Sequence, residues 1–329
     1  MGSLTNLLNR CAVGTLAAGT LAFGAGVYDI HAAEYKPKGS VQHLNTASQA
    51  RAKSPNALGL EEVIKKKIGT IKDSGKLLAH EEVSVVVHDV YQNMRLVSIN
   101  PSSIMDAAST AKAVVALVNF HLVSKGDLIY DDEIRNDLEL ALQKIGKAYR
   151  ESNKAITRVM EKIGGPARIQ RILDEEYGHI FSNTSIVEMI PEDGKTYGNK
   201  ITAEDYARFW LALWRKELPF SDELSRLLEW SKPDQYHQKP LRIFDMWHKI
   251  SSYAKLVVNK SGTTNRVISD GGVVVINING LEYPYVVVGI IQSAYHKDTF
   301  KEWSERAVTT LRQLNMTVPH FIMQNYKSN

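Results

Sequence analysis

Ser109 and Lys112 stand three positions apart in Ala107-Ala108-Ser109-Thr110-Ala111-Lys112, and the apolar run Ala113 to Leu122 follows without a break. If this stretch is helical, the two side chains lie one above the other on a single face, which brings an amine to a hydroxyl. A serine becomes a nucleophile only when a neighbour takes its proton, and a lysine can take it only when neutral. Burial or a second cation supplies that condition. The same spacing recurs at Ser252-Tyr253-Ala254-Lys255. That copy runs into the β-rich Leu256-Val257-Val258, where residues three apart face opposite sides of a strand, so Ser109 is the candidate.

The elements that must position Ser109 can be read from periodicity. Leu58 to about Lys72 has an amphipathic helical pattern, and Val83–Val90, Tyr91-Gln92-Asn93 and Met94–Ser98 read as a β-hairpin. From Ser109 to about Trp230 the signals are mostly helical: Asp131–Tyr149, Asn153–Ile163, a break at Gly164-Gly165-Pro166, Ala167–Leu173, and a helix to Trp214 opened by the capping sequence Thr202-Ala203-Glu204-Asp205. Tyr177 to Lys200 has no sustained period and reads as an ordered loop. Strands return at Lys255–Asn259, Val267–Ile278 and Tyr283–Gln292, and an amphipathic helix, Phe300–Leu314, ends the fold. The expected architecture is α+β: one antiparallel sheet of about five strands from both chain ends, flanked by the terminal helices, with an all-helical lobe inserted over about 110–250.

The junction between sheet and lobe is the natural cleft. Three segments would line it: Ser109-Thr110-Ala111-Lys112 at a helix start, Glu151-Ser152-Asn153 at the loop and first turn of a helix in the insert, and Lys260-Ser261-Gly262-Thr263 at the end of a late strand. In this order they resemble the signature of the β-lactamase and penicillin-binding (DD-peptidase) superfamily of active-site serine hydrolases: Ser-x-x-Lys, then Ser-x-Asn, then Lys-Ser-Gly. The resemblance runs from Leu60 to Leu314 and is closest to the class A β-lactamases; Asn153 also precedes Gly164-Gly165-Pro166 by the family's spacing.

The resemblance implies an acyl-enzyme on Ser109 with β-lactams or D-alanyl peptides, and Lys112 as proton acceptor. It implies Asn153 on the substrate's amide side chain, and Lys260 favouring neutral Lys112 while attracting a substrate carboxylate. Ser261 and Thr263 would bond that carboxylate, Gly262 would permit close approach, and the backbone N–H groups of Ser109 and Thr263 would form an oxyanion hole. The pattern departs from the family in two places. Glu151 occupies the position of the motif serine, where it is a partner of Lys112 and Lys260, a proton donor, or a solvent-facing carboxylate; the alternative is that Ser152 fills the role after a shift of one residue. No Glu-x-x-Leu-Asn motif follows. Glu188 lies near the expected place, with Glu192 where the asparagine would be, as a water-activating base or an ordinary loop carboxylate. Without such a base the acyl group would be long-lived, as suits a penicillin-binding protein. A catalytically silent family member that binds peptidoglycan or a protein partner is the competing reading.

Composition narrows the remainder. The chain of 329 residues is 44% hydrophobic and 23% charged, as expected of a globular protein, and its net charge of +4 comes with no Lys/Arg block interleaved with aromatics, which argues against nucleic-acid binding. Met1–Arg10, the apolar Ala12–Val27 and His31-Ala32-Ala33 have the layout of a secretory signal over 1–33. A flexible polar tail follows over 34–57, and the catalytic domain occupies 58–329. The expected location is therefore the bacterial periplasm or the exterior, with membrane contact only through the signal or an uncleaved anchor. The single cysteine, Cys11, lies in that segment. No Gly-x-Ser-x-Gly elbow, Walker loop or His-Glu-x-x-His occurs; His80-Glu81-Glu82 lacks a second histidine, and His237 and His248 lack carboxylate partners at ligand spacing. Neither a metal nor a cofactor is expected. The expected partner is a small-molecule β-lactam or a peptidoglycan stem peptide, bound by a monomer.

Overall fold

Val83-Ser84-Val85-Val86-Val87 and Val286-Val287-Val288 are β-branched and apolar on both faces, a composition that suits strands covered by a layer on each side. The computed structural model describes residues 57–142, 149–229, 254–278, 280–293 and 299–326. In it these runs are β1 (Glu81–Asp89) and β7 (Leu281–Ser293), adjacent in a five-stranded antiparallel sheet with β2 (Met94–Ile99), β5 (Ala254–Thr263) and β6 (Val267–Ile278). The strand order is β2-β1-β7-β6-β5, so both chain ends contribute as expected. The signal expected at 1–33 and the tail expected at 34–57, save Ala57, which opens the first helix, lie outside the described residues, as do residues 230–253 with His237 and His248.

Side-chain alternation divides the core. Val85, Val87, Val274, Ile276, Tyr285 and Val287 pack with Leu60 and Ile64 of α1 (Ala57–Asp73) and Trp303 and Leu311 of α8 (Phe300–Tyr326). Val86, Val273, Val286 and Val288 face the helical lobe. That lobe is α2 (Ala111–Lys125), α3 (Asp132–Leu142), α4 (Tyr149–Ile163), α5 (Pro166–Tyr177), α6 (Ala203–Trp214) and α7 (Ser221–Leu228). α2 is buried from Ala111 to Leu122 and forms its axis. A separate two-residue pair, β3 (Met105–Asp106) with β4 (Lys200–Ile201), joins the start of the Ser109 turn to the end of the 177–200 loop.

Two features differ from the sequence expectation. α8 does not end at Leu314 but continues through Pro319 to Tyr326. Val318 and Ile322 prolong the buried stripe of Leu311 and Leu314, and this packing outweighs the backbone hydrogen bond that proline removes. α4 begins at Tyr149, so Glu151, Ser152 and Asn153 are all helical rather than part of a loop. No helix among the described residues is long and apolar enough to cross a membrane.

Candidate active site

Ser109 lies in a single 3-10 turn, Ala108–Thr110, that leads directly into α2. Ala108 has φ +47°, a left-handed conformation that disfavours a side chain by about 1–3 kcal/mol and persists only where the surroundings enforce it. Part of that enforcement comes from β5: a Cβ on Gly262 would lie 3.0 Å from the Ala107 carbonyl oxygen and 3.1 Å from Ala108 Cβ. Gly262 therefore lets the strand press against the turn that carries Ser109.

Lys112 is 2% exposed on α2. Its Nζ donates to Ser152 Oγ at 2.7 Å, and Ser152 Oγ donates to the Ala141 carbonyl at 3.0 Å. Burial, with the charge of Lys260 second, pushes the Lys112 amine down to about 6. At neutral pH it is an amine with a lone pair, and one of its N–H groups is committed to Ser152.

Helix phase decides which residue of Glu151-Ser152-Asn153 reaches Lys112. Ser152 and Asn153 share the buried face of α4 with Ile156, Val159 and Ile163. Glu151 points outward, and its carboxylate meets Lys154 Nζ at 3.4 Å on the surface. Asn153 Nδ2 donates to the Glu192 carbonyl at 3.0 Å, so the amide braces the loop above α4. Thr157, one turn on, donates to the Ile190 carbonyl at 2.5 Å.

Lys260 reaches the same cleft because of a bulge that sequence periodicity did not reveal. The β5–β6 register shifts between Leu256 and Val258. Ala254 and Leu256 face the terminal helices, whereas Val258 faces the lobe. The shift carries Lys260 and Gly262 to the lobe side with Val258. Lys260 is 4% exposed, and its carbonyl accepts from Tyr206 Oη of α6 at 2.7 Å, a contact that sequence reasoning missed. Ser261 is half-buried opposite Asp270, and Thr263 is exposed at the strand end.

Glu188 faces its own loop. Its Oε1 accepts from Thr196 Oγ1 at 2.5 Å and from the Gly198 backbone at 2.6 Å. Burial pushes the carboxyl up, but these bonds and the N–H groups of Tyr197 and Asn199 outweigh it and hold it below the usual carboxylate range. The Glu192 side chain meets Arg150 at 3.6 Å and Lys154 at 3.3 Å. Of the second Ser-x-x-Lys pattern, Lys255 is exposed on β5, and Ser252 lies outside the described residues. Among the described residues no three His, Cys, Asp or Glu side chains converge in a way that would hold a metal.

A sheet from both chain ends, a helical lobe, and a serine and two lysines at their junction define the β-lactamase and penicillin-binding superfamily. The chain belongs to the β-lactamase enzyme family, which it matches over residues 64–314. Among solved structures it is similar to a variant of PBP-A captured as an acyl-enzyme with penicillin G, at 17% identity over 83% of this chain and 97% of that one, TM-score 0.55. It is similar to the extended-spectrum β-lactamase TLA-1, at 14% identity over 81% and 99%, TM-score 0.59. The β-lactamase of Sphaerobacter thermophilus matches at 14% identity over 78% and 97%, TM-score 0.56. At these identities the likeness establishes the fold. No curated protein matches the chain.

Proposed function

We propose that this protein is an exported serine acyl-transfer enzyme of the β-lactamase or penicillin-binding type, which acylates Ser109 with β-lactams or D-alanyl peptides and releases the acyl group slowly. The observation that carries this reading is the buried Lys112, pushed down to about 6 and hydrogen-bonded to Ser152. Ser109 Oγ attacks the lactam or peptide carbonyl while its proton passes to the neutral Lys112. Ser152, between Lys112 and the Ala141 carbonyl, relays a proton to the departing nitrogen. Lys260, with the Ser261 and Thr263 hydroxyls, holds the substrate carboxylate, and the N–H groups of Ser109 and Thr263 stabilise the oxyanion. Glu188 is committed to the 196–199 turn, which supports slow deacylation and a penicillin-binding role rather than rapid β-lactam hydrolysis. Export rests on the apolar run Ala12–Val27.

The test is incubation of the purified protein with a fluorescent penicillin, with Ser109→Ala as control and intact-mass spectrometry to follow the adduct. A stable adduct of one penicillin that is absent from the variant is expected. An unlabelled wild type overturns acylation by β-lactams and favours the silent binding reading, to which the bond between Asn153 and the loop carbonyl already lends support.

A further inference from the structure

The turn that carries Ser109 is strained at Ala108, and on its upstream side little backbone holds it. Downstream it enters α2, which is anchored by its whole buried surface. Upstream lies β3, whose ladder with β4 is two residues long, Met105 opposite Ile201 and Asp106 opposite Lys200. A pairing this short is marginal by itself.

Asp106 supplies what the ladder lacks. Its side chain is fully buried, three residues before Ser109. Oδ1 accepts from Lys200 Nζ, the cross-strand partner at the end of the 177–200 loop, at 2.5 Å. Oδ2 lies 3.7 Å from Arg266 Nε in the turn between β5 and β6, an ion pair too long for a hydrogen bond. The backbone N–H of Asp106 donates to Gln292 Oε1 of β7 at 2.6 Å, and that of Ala107 to the Asn199 carbonyl at 2.9 Å. Arg266 also lies over the Tyr197 ring, 5.2 Å from its centroid, and Tyr197 Oη donates to Asn265 Oδ1 at 2.7 Å. One carboxylate thus ties the loop, the β5–β6 turn and the nucleophile turn together.

Only the carboxylate of these pairs is buried, while Lys200 and Arg266 reach solvent; a desolvated carboxylate is a poor way to gain stability, and its benefit here is a defined geometry. We propose that Asp106 is a positioning residue for Ser109: its hydrogen bond to Lys200 and its ion pair with Arg266 fix the upstream end of the strained turn and hold Ala108 left-handed, so that the serine hydroxyl is aimed at the substrate carbonyl. This rests on the reading of Ser109 as nucleophile.

The test compares Asp106→Asn, which keeps the size and removes the charge, with the double variant Asp106→Asn/Lys200→Met, which also removes the nearer of the two cations left behind. Single-turnover labelling with a fluorescent penicillin separates initial binding from acylation, and crystal structures report the Ala108 backbone. The expected result is an acylation rate constant at least about ten-fold lower in both variants, with unchanged initial binding, because misplacement of a reacting atom by a fraction of an ångström acts on rate. The double variant regains thermal stability without regaining rate, and Ala108 leaves the left-handed region. Wild-type acylation by the double variant, or Ala108 unmoved near its present φ, overturns the proposal. Should the single variant not fold, the double variant decides. Should the wild type not be acylated at all, the functional reading fails, whereas the Ala108 backbone still decides the role of Asp106.

Discussion

At the proposed site, burial of Lys112 costs stability and keeps its amine neutral. Its folded-state value of about 6 lies below the ordinary lysine value, so between those two pH values the folded protein binds fewer protons than the unfolded chain. The contribution of this group to stability therefore rises with pH across that window and is least favourable below about pH 6. Lys112→Met should raise stability at pH 7 by about 1–3 kcal/mol in denaturant titration while abolishing acylation. In the wild type the acylation rate should climb through an acid limb near pH 6 and then level off, since only the neutral amine accepts the serine proton. Removal of a like charge in Lys260→Ala should move that limb to higher pH; a limb that stays in place would exclude Lys112 as proton acceptor. Ser152 and Glu151 can be separated at the same scale. Ser152→Ala takes away the hydroxyl on Lys112 and should slow acylation by about a hundred-fold. Glu151→Ala, at the surface, should leave it within about two-fold, and the reverse ranking would assign the role to Glu151.

At the scale of elements, the 177–200 loop is held from both of its ends. Asp205 of α6, fully buried, accepts from the Asn183 backbone at 2.8 Å, from Thr184 Oγ1 at 2.8 Å and from Ser182 Oγ at 3.2 Å, with Arg208 at 3.3 Å. Asp205→Ala leaves those donors unmatched and should destabilise by about 3–5 kcal/mol. It should also open the loop to tryptic cleavage at Lys195 under conditions where the wild type is intact. Glu192→Ala removes only exposed ion pairs, worth under about 1 kcal/mol, and should leave cleavage unchanged. Equal protection of the two variants would show that Asp205 does not anchor the loop. Most of these elements were legible in the sequence: β-branched apolar runs marked the strands, and Thr202 caps α6 through the Asp205 N–H as its motif requires. The helix phase at Ser152 was not legible, because the sequence placed Glu151-Ser152-Asn153 at a loop and first turn, whereas all three residues are helical. The β5 bulge also left no mark, since Leu256-Val257-Val258 is apolar at each position and conceals a change of face. The extension of α8 was written in the spacing of Leu311, Leu314, Val318 and Ile322, which Pro319 obscured.

On the proposed reading the sheet has the Ser109 site on one face and the terminal helices on the other, and two glycines on that sheet distinguish the faces. A Cβ at Gly289 would lie 2.9 Å from Leu311 Cδ2, the flexible end of a side chain on α8. A Cβ at Gly271 would lie 2.7 Å from Tyr206 Cε1 and 2.8 Å from Trp210 Nε1, two buried rings of α6. Gly271 is also the cross-strand partner of Lys260, whose carbonyl Tyr206 holds. Both alanine substitutions overpack a core and should each destabilise by about 1–3 kcal/mol. Their effects on chemistry should diverge. Gly289→Ala displaces a residue that touches nothing in the cleft, so each folded molecule should acylate at the wild-type rate. Gly271→Ala pushes Tyr206 off the Lys260 carbonyl and shifts the second lysine away from Lys112, so acylation should fall by at least about ten-fold and its acid limb should move to higher pH. Measuring acylation per folded molecule in the two variants tests this division; equal loss in both would mean that the site depends on the entire sheet rather than on the face that carries it.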